Sequence, residues 1–191
     1  MRIVLASSSP YRQELLARLG LKSISHSPDI DETPRAHESA DELVARLSEA
    51  KARVVAARYA DTLVIGSDQA AVVGSAILSK PGSASAAIAQ LETLRGKTVT
   101  FYTGVCVLNA RNGNLRSSVE TARVTYRNLS SPAIARYVAR DEPYDCVGAL
   151  KSEGYGISIC SAITTDDPTT LIGLPLIRLI AMLNAEGIDI P

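Results

Sequence analysis

Short apolar runs alternate along the chain with stretches whose apolar residues recur every three or four positions, a pattern that predicts strands interleaved with helices. Arg2–Ala6 reads as a buried strand. Ser9 is placed to cap the next helix, with Pro10 at its first position, Leu15, Leu16 and Leu19 on its apolar face and Gly20 past its end. The stretch Lys22–His26 reads as a strand entering the acidic loop 27–39. Ser39 and Glu42 have capping-box spacing, and Leu43, Val44, Leu47, Val54 and Val55 predict the buried stripe of the helix they open. A strand, a turn at Gly74-Ser75 and a second strand follow, then a helix closed by Gly96. Two long β-runs, Thr98–Asn109 and Leu115–Tyr126, are joined through Asn112-Gly113, a hairpin signal because both residues tolerate positive φ. A helix over 132–140, the glycine-spaced stretch 146–159 and a terminal helix over 174–185 complete the pattern. The hairpins exclude a purely parallel sheet. The expected fold class is α/β, a mixed and partly antiparallel sheet with flanking helices, in a single domain over 1–191.

Composition narrows the ligand more than the fold. Twenty basic residues balance twenty acidic ones, so no global field holds nucleic acid or an anionic membrane, and an anionic ligand needs a local cluster of cations. Neither nucleic acid nor membrane is therefore expected as a partner. Cys106, Cys146 and Cys160 are widely spaced and odd in number, which supports reduced thiols rather than a disulfide framework or a zinc knuckle. The N-terminal apolar run is too short for a signal peptide, and the expected location is the cytoplasm.

The chemistry gathers at three places. The segment Ser7-Ser8-Ser9 runs a strand into a helix N-terminus, where free N–H groups and the helix dipole favour an anion, and Arg12 on the first turn adds a cation able to fork onto phosphate oxygens. The same serines also serve as simple helix caps, with Arg12 then in solvent. Gly96-Lys97-Thr98 resembles the tail of a P-loop, but Leu91 stands where that loop needs glycine and a strand follows, so it is read as a helix terminator. Asp31 and Glu32 lie in a proline-bounded loop, and Asp68 follows the apolar run 62–66, at what reads as the end of a buried strand. With only His26 and His37 present, carboxylates holding Mg²⁺ or Mn²⁺ against a substrate phosphate suit the composition better than a histidine site. Lys51 interrupts the buried stripe of its helix, either snorkelling outward or serving a site; Lys80 precedes a proline and Lys151 lies in the glycine-spaced loop. Together with Arg12 these lysines supply the local cations a triphosphate would need.

Six segments in order, "LASSSPYRQELL", "DETPR", "GSDQ", "SKPG", "GALKSEGYGI" and "GLPL", resemble the Maf-like nucleotide pyrophosphatases over nearly the whole chain. The resemblance implies a fold similar to inosine triphosphate pyrophosphatases, with two lobes around a cleft. It also implies hydrolysis of a nucleoside triphosphate to the monophosphate and pyrophosphate with a divalent cation. By that resemblance Asp68 would accept the proton, or mainly hold the metal; Ser7, Arg12, Lys51 and Lys80 would bind phosphates, and Glu32 would help place the metal. Tyr11, Gln69 and Glu153 fall at the three base-reading positions and look like the branch active on 7-methyl-GTP, except that tyrosine stands where tryptophan is usual. The alternatives are pyrophosphatase action on another nucleotide (dTTP, UTP or a damaged purine) and a nucleotide-sensing regulator of cell division. A small nucleotide is the expected partner, and a homodimer is kept open.

Overall fold

The computed structural model describes residues 1–191. Seven strands form one sheet in the order β2-β1-β3-β5-β6-β7, with β4 paired to β3. They are β1 (Arg2–Ala6), β2 (Ser23–Ser25), β3 (Thr62–Val73), β4 (Ala76–Leu78), β5 (Thr98–Asn109), β6 (Leu115–Tyr126) and β7 (Cys160–Thr165). β1 pairs in parallel with β2 and with β3, whereas β3–β4 and β6–β7 are antiparallel. The helices are α1 (Pro10–Ala17), α2 (Ala40–Ala56), α3 (Ala84–Leu94), α4 (Ser131–Asp141), α5 (Thr169–Ile172) and α6 (Leu176–Ala185). Two compact units make up the chain: Met1–Gln69 with Tyr102–Glu120 and Asp167–Pro191, and Ala70–Phe101 with Thr121–Asp166. No helix is long and apolar enough to cross a membrane.

In the first unit the alternation of β-strand side chains sorts two cores. Ile3, Leu5, Leu63, Ile65, Val105 and Val107 face Leu15 and Leu16 of α1 and Leu179 and Leu183 of α6. Val4, Ala6, Val64 and Cys106 face the other way, onto Ala52 and Val55 of α2. Two glycines allow α2 to approach the sheet. A Cβ on Gly66 would stand 2.0 Å from the Ser48 carbonyl oxygen, and one on Gly104 would stand 2.3 Å from that of Val44. Backbone, not a yielding side chain, occupies each space. Gly66→Ala is therefore expected to destabilise the protein by about 3 kcal/mol, the upper end of ordinary overpacking costs; thermal unfolding checks it, and an unchanged midpoint would contradict this packing.

In the second unit, buried Tyr126 and Tyr137 donate to the carbonyls of Gly148 and Ala149 at 2.9 and 3.0 Å. Burial pushes both phenols up, so they remain donors. Gly148 has φ +69°, and a Cβ on Gly156 would lie 2.2 Å from the Lys151 carbonyl oxygen. The glycine spacing of this stretch thus reflects a tightly folded loop with two short 3₁₀ turns, Val147–Ala149 and Tyr155–Ile159. The Arg140 guanidinium sits 3.9 Å from the Tyr155 ring centroid.

Several expectations hold. Ser9 accepts from the Arg12 N–H, the Ser39–Glu42 capping box is formed, and Gly96 has φ +65°. β5 and β6 are neighbours joined by a five-residue connection, which only an antiparallel pair can use. None of the three cysteines is in a disulfide, and burial pushes the Cys106 and Cys160 thiols up to about 12 and about 11. Other expectations need correction. Val54 is exposed, because the buried stripe of α2 runs through Leu47, Ser48, Lys51, Ala52 and Val55. β3 continues to Val73, so Asp68 stands within the strand rather than at its end. The terminal helix expected over 174–185 forms as α6, capped by Pro175, but the short α5 before it, ended by Gly173 at φ +118°, was not expected. β7 was not foreseen, since it follows directly on a 3₁₀ turn, and most of its residues are exposed and half are polar.

Candidate active site

β3 is the spine of the site. Gly66 and Asp68 share the face covered by α2, whereas Ser67 and Gln69 point to the opposite face. Lys51 lies one turn of α2 beyond the close approach at Ser48, and its ammonium donates to Asp68 Oδ1 at 2.5 Å and pairs with Glu32 Oε1 at 2.8 Å. The Lys51 side chain is only 7% exposed and that of Asp68 12%, while Glu32, reaching in from the acidic loop, is 58% exposed. The snorkelling alternative for Lys51 is therefore excluded. A buried ammonium is tolerable here because two carboxylates neutralise it.

The opening turn delivers the other cation. Ser7 is buried, and its hydroxyl accepts the Ser9 N–H at 3.1 Å. Arg12 is half-buried, not in open solvent, and its Nε donates to the Gly173 carbonyl at 2.8 Å. With Nε committed in this way, the Nη edge of the guanidinium is the part suited to an anion. Desolvation pulls the Arg12 pKa down, and the charges of Asp68 and Glu32 pull it back up, which places all three groups in one electrostatic neighbourhood. Tyr11 sits beside Arg12 on α1, half-buried.

Gln69 is committed on one side. Its Nε2 donates to Thr103 Oγ1 at 3.0 Å, to the Thr170 carbonyl at 3.0 Å and to the Leu171 carbonyl at 3.2 Å. Two carbonyls can only accept, so this atom is the nitrogen, and Oε1 alone remains to meet a ligand.

The remaining residues belong to the second unit. Lys80 is exposed after β4, and Glu153 is exposed, with a polar contact to the Ser152 hydroxyl at 3.5 Å. Lys151 has a structural partner: its ammonium donates to the Asp141 carbonyl at 2.7 Å, capping the end of α4.

Glu32 and Asp68 are the two hard-oxygen donors that meet, and no group of three His, Cys, Asp or Glu side chains gathers to hold a metal. This donor set fits a divalent ion of the Mg²⁺ type, which takes one or two carboxylates and completes its shell with water and substrate phosphate. Sequence reasoning gave no role to Thr103, Asp167, Thr170 or Gly173. The local signals were Asp167 two residues before Thr169, a spacing that favours a side-chain turn, and Gly173 at the head of the segment "GLPL".

A mixed α/β sheet that gathers a helix N-terminus, a half-buried arginine and a lysine–carboxylate cluster defines a protein equipped to handle phosphate groups. The chain belongs to the Maf-like protein family, whose model matches residues 2–186. It is 51% identical over 185 residues to a 7-methyl-GTP pyrophosphatase of Nitrosococcus oceani, covering 97% of this chain and 93% of that protein. It is 50% identical to the 7-methyl-GTP pyrophosphatase of Pseudomonas aeruginosa, covering 99% of this chain and 98% of that one. Among solved structures, the Staphylococcus aureus Ham1 protein superposes with a TM-score of 0.53 at 15% identity, over 97% of this chain and all of that one. That likeness concerns the fold alone, and it agrees with the expected mixed α/β class.

Proposed function

We propose that this protein hydrolyses 7-methyl-GTP to 7-methyl-GMP and pyrophosphate, a housekeeping activity on the cytoplasmic nucleotide pool. The observation that carries the reading is the buried Lys51–Asp68 pair, joined by Glu32 and electrostatically coupled to Arg12. In the reaction, a water oxygen bonds to phosphorus while the linkage between the α-phosphate and the pyrophosphate breaks. Asp68 takes the proton of that water or orients it, and Lys51 and Arg12 offset charge on the phosphate oxygens. Ser7 and Lys80 add phosphate contacts; Lys151, held at the end of α4, contributes chiefly by fixing the loop that carries Glu153. A divalent cation, Mg²⁺ or Mn²⁺, would be held by Glu32 and Asp68 and would neutralise developing charge on the phosphates.

Base choice falls to Tyr11, Gln69 and Glu153. Methylation at N7 gives guanine a positive charge, and an aromatic face then adds about 0.5–2 kcal/mol of cation–π attraction. Glu153 accepts from the N1–H and the 2-amino group, and Gln69 offers its remaining acceptor. A pyrimidine would instead present a single N3–H flanked by the O2 and O4 carbonyls, and those acceptors facing acceptors are a mismatch that rejects dTTP and UTP.

The test is pyrophosphate release with Mg²⁺ or Mn²⁺ from 7-methyl-GTP, GTP, dTTP and UTP. The expected result is a preference for 7-methyl-GTP that falls by about 2- to 30-fold in Tyr11→Ala, the span of one cation–π contact, and falls further in Glu153→Gln. Preference for dTTP or UTP would overturn the base assignment and leave the pyrophosphatase reading standing. A second copy of the chain as partner is checked by sedimentation of the same samples.

A further inference from the structure

We propose that the turn from Asp167 to Gly173 is one positioning element for both ends of nucleotide recognition, setting the guanidinium of Arg12 and the amide of Gln69 together, with Asp167 fixing it. The inference rests on the nucleotide reading above, and it concerns residues that meet no ligand themselves.

Asp167 is 5% exposed and spans two helix starts. Its Oδ1 accepts the Thr169 N–H at 2.8 Å and the Thr169 hydroxyl at 2.6 Å, and its Oδ2 accepts the Ile177 N–H at 2.8 Å. Thr169 Oγ1 in turn accepts the Leu176 N–H at 2.8 Å. The beginnings of α5 and α6 are thereby tied to a single carboxylate. N–H groups at helix starts have no partner in their own helix, and here side chains satisfy them.

The far end of α5 is where this rigidity is used. The Gly173 N–H closes on the Thr169 and Thr170 carbonyls at 3.2 and 3.1 Å. A carbonyl with two lone pairs still has capacity for a partner from outside the helix, which Thr170 and Leu171 use toward the site. The Thr170 carbonyl accepts from Gln69 Nε2 at 3.0 Å and from Thr103 Oγ1 at 2.9 Å, and the Leu171 carbonyl accepts from Gln69 Nε2 at 3.2 Å. Three residues after Thr170, the Gly173 carbonyl accepts from Arg12 Nε at 2.8 Å and from Ser67 Oγ at 2.9 Å. Gly173 adopts φ +118°, which a residue with a Cβ rarely reaches, and a Cβ there would lie 3.4 Å from Arg12 Nε. The same short turn thus holds the phosphate-facing cation and the base-facing amide. Neither can be re-aimed without disturbing the carbonyls that anchor the other.

The experiment compares Asp167→Asn, Thr169→Val and the conservative Thr169→Ser with the unaltered protein. Side-chain ¹H–¹⁵N resonances of Arg12 Nε–H and Gln69 Nε2–H are followed, assigned with Arg12→Lys and Gln69→Glu. In Asp167→Asn and Thr169→Val both resonances are expected to shift and lose protection from exchange together, while Thr169→Ser leaves both in place. Kinetically, misplacement by an ångström costs on the order of a hundredfold, so a smaller displacement should raise KM for 7-methyl-GTP by about tenfold and lower its preference over GTP. Thr169→Val provides the answer if Asp167→Asn does not fold. A lowered melting temperature with both resonances unmoved would overturn the proposal, as would movement of one resonance without the other. Absence of pyrophosphate release by the unaltered protein would sink the functional reading instead, and the resonance test would still decide the structural one.

Discussion

Asp68→Asn is expected to lower kcat for pyrophosphate release by about 10²–10⁴-fold, the usual contribution of a positioned acid–base group. The carboxylate stands within β3, held by Lys51 on the face covered by α2, and both proposed roles need its negative charge. Asparagine has nearly the same shape but neither accepts a proton nor supports a cation equally well. Nucleotide binding should therefore survive in part while turnover does not, and steady-state kinetics beside a binding titration separates the two. Turnover within a few-fold of the unaltered protein would remove Asp68 from the chemistry. The same variant distinguishes an enzyme from a nucleotide-sensing regulator of division. A regulator would keep its cellular effect when the carboxylate is exchanged for an amide, whereas an effect that depends on turnover would be lost.

Lys51→Met should affect folding and function together. Removing one partner from a buried ion pair leaves the other charge without compensation, which costs about 3–5 kcal/mol. Glu32 is largely exposed and keeps its water, so the penalty falls chiefly on Asp68, and a loss of about 3 kcal/mol is expected. For a chain of this size that corresponds to roughly 6–12 °C in melting temperature. Adding Asp68→Asn to Lys51→Met should restore part of the stability, because the stranded charge is then gone, and restore none of the activity. The double-mutant cycle measures that coupling directly. Independent, additive effects would mean that the 2.5 Å contact contributes nothing specific.

What was legible in the sequence was mostly local. Ser9-Pro10 at the mouth of α1, the capping box of α2, the limits of β5 and β6 and the glycine after α3 depend on residues a few positions apart, so composition and spacing reveal them. The candidate site was legible for another reason: short ordered motifs hold Arg12, Glu32 and Asp68, and Lys51 interrupts the apolar stripe of its helix, though neither signal says what these groups touch. Reading the lysines one by one could not separate Lys151, which caps α4, from lysines left open to a phosphate.

Residue types and near-neighbour spacing therefore determined, by themselves, the mixed α/β class, the position of most helices and strands and the identity of the chemical groups. Tertiary structure decided how those groups are used. Lys51 is buried because Gly66 and Gly104 let α2 approach the sheet until its ammonium reaches Asp68, seventeen residues further along the chain. Val54 faces solvent because that same approach selects the face of α2 that is covered. Arg12 is aimed by a carbonyl 161 residues away, and Gln69 by carbonyls 101 and 102 residues away. Local propensity carries no information about such partners, since the energy that orients them exists only once the chain has brought them within hydrogen-bond range.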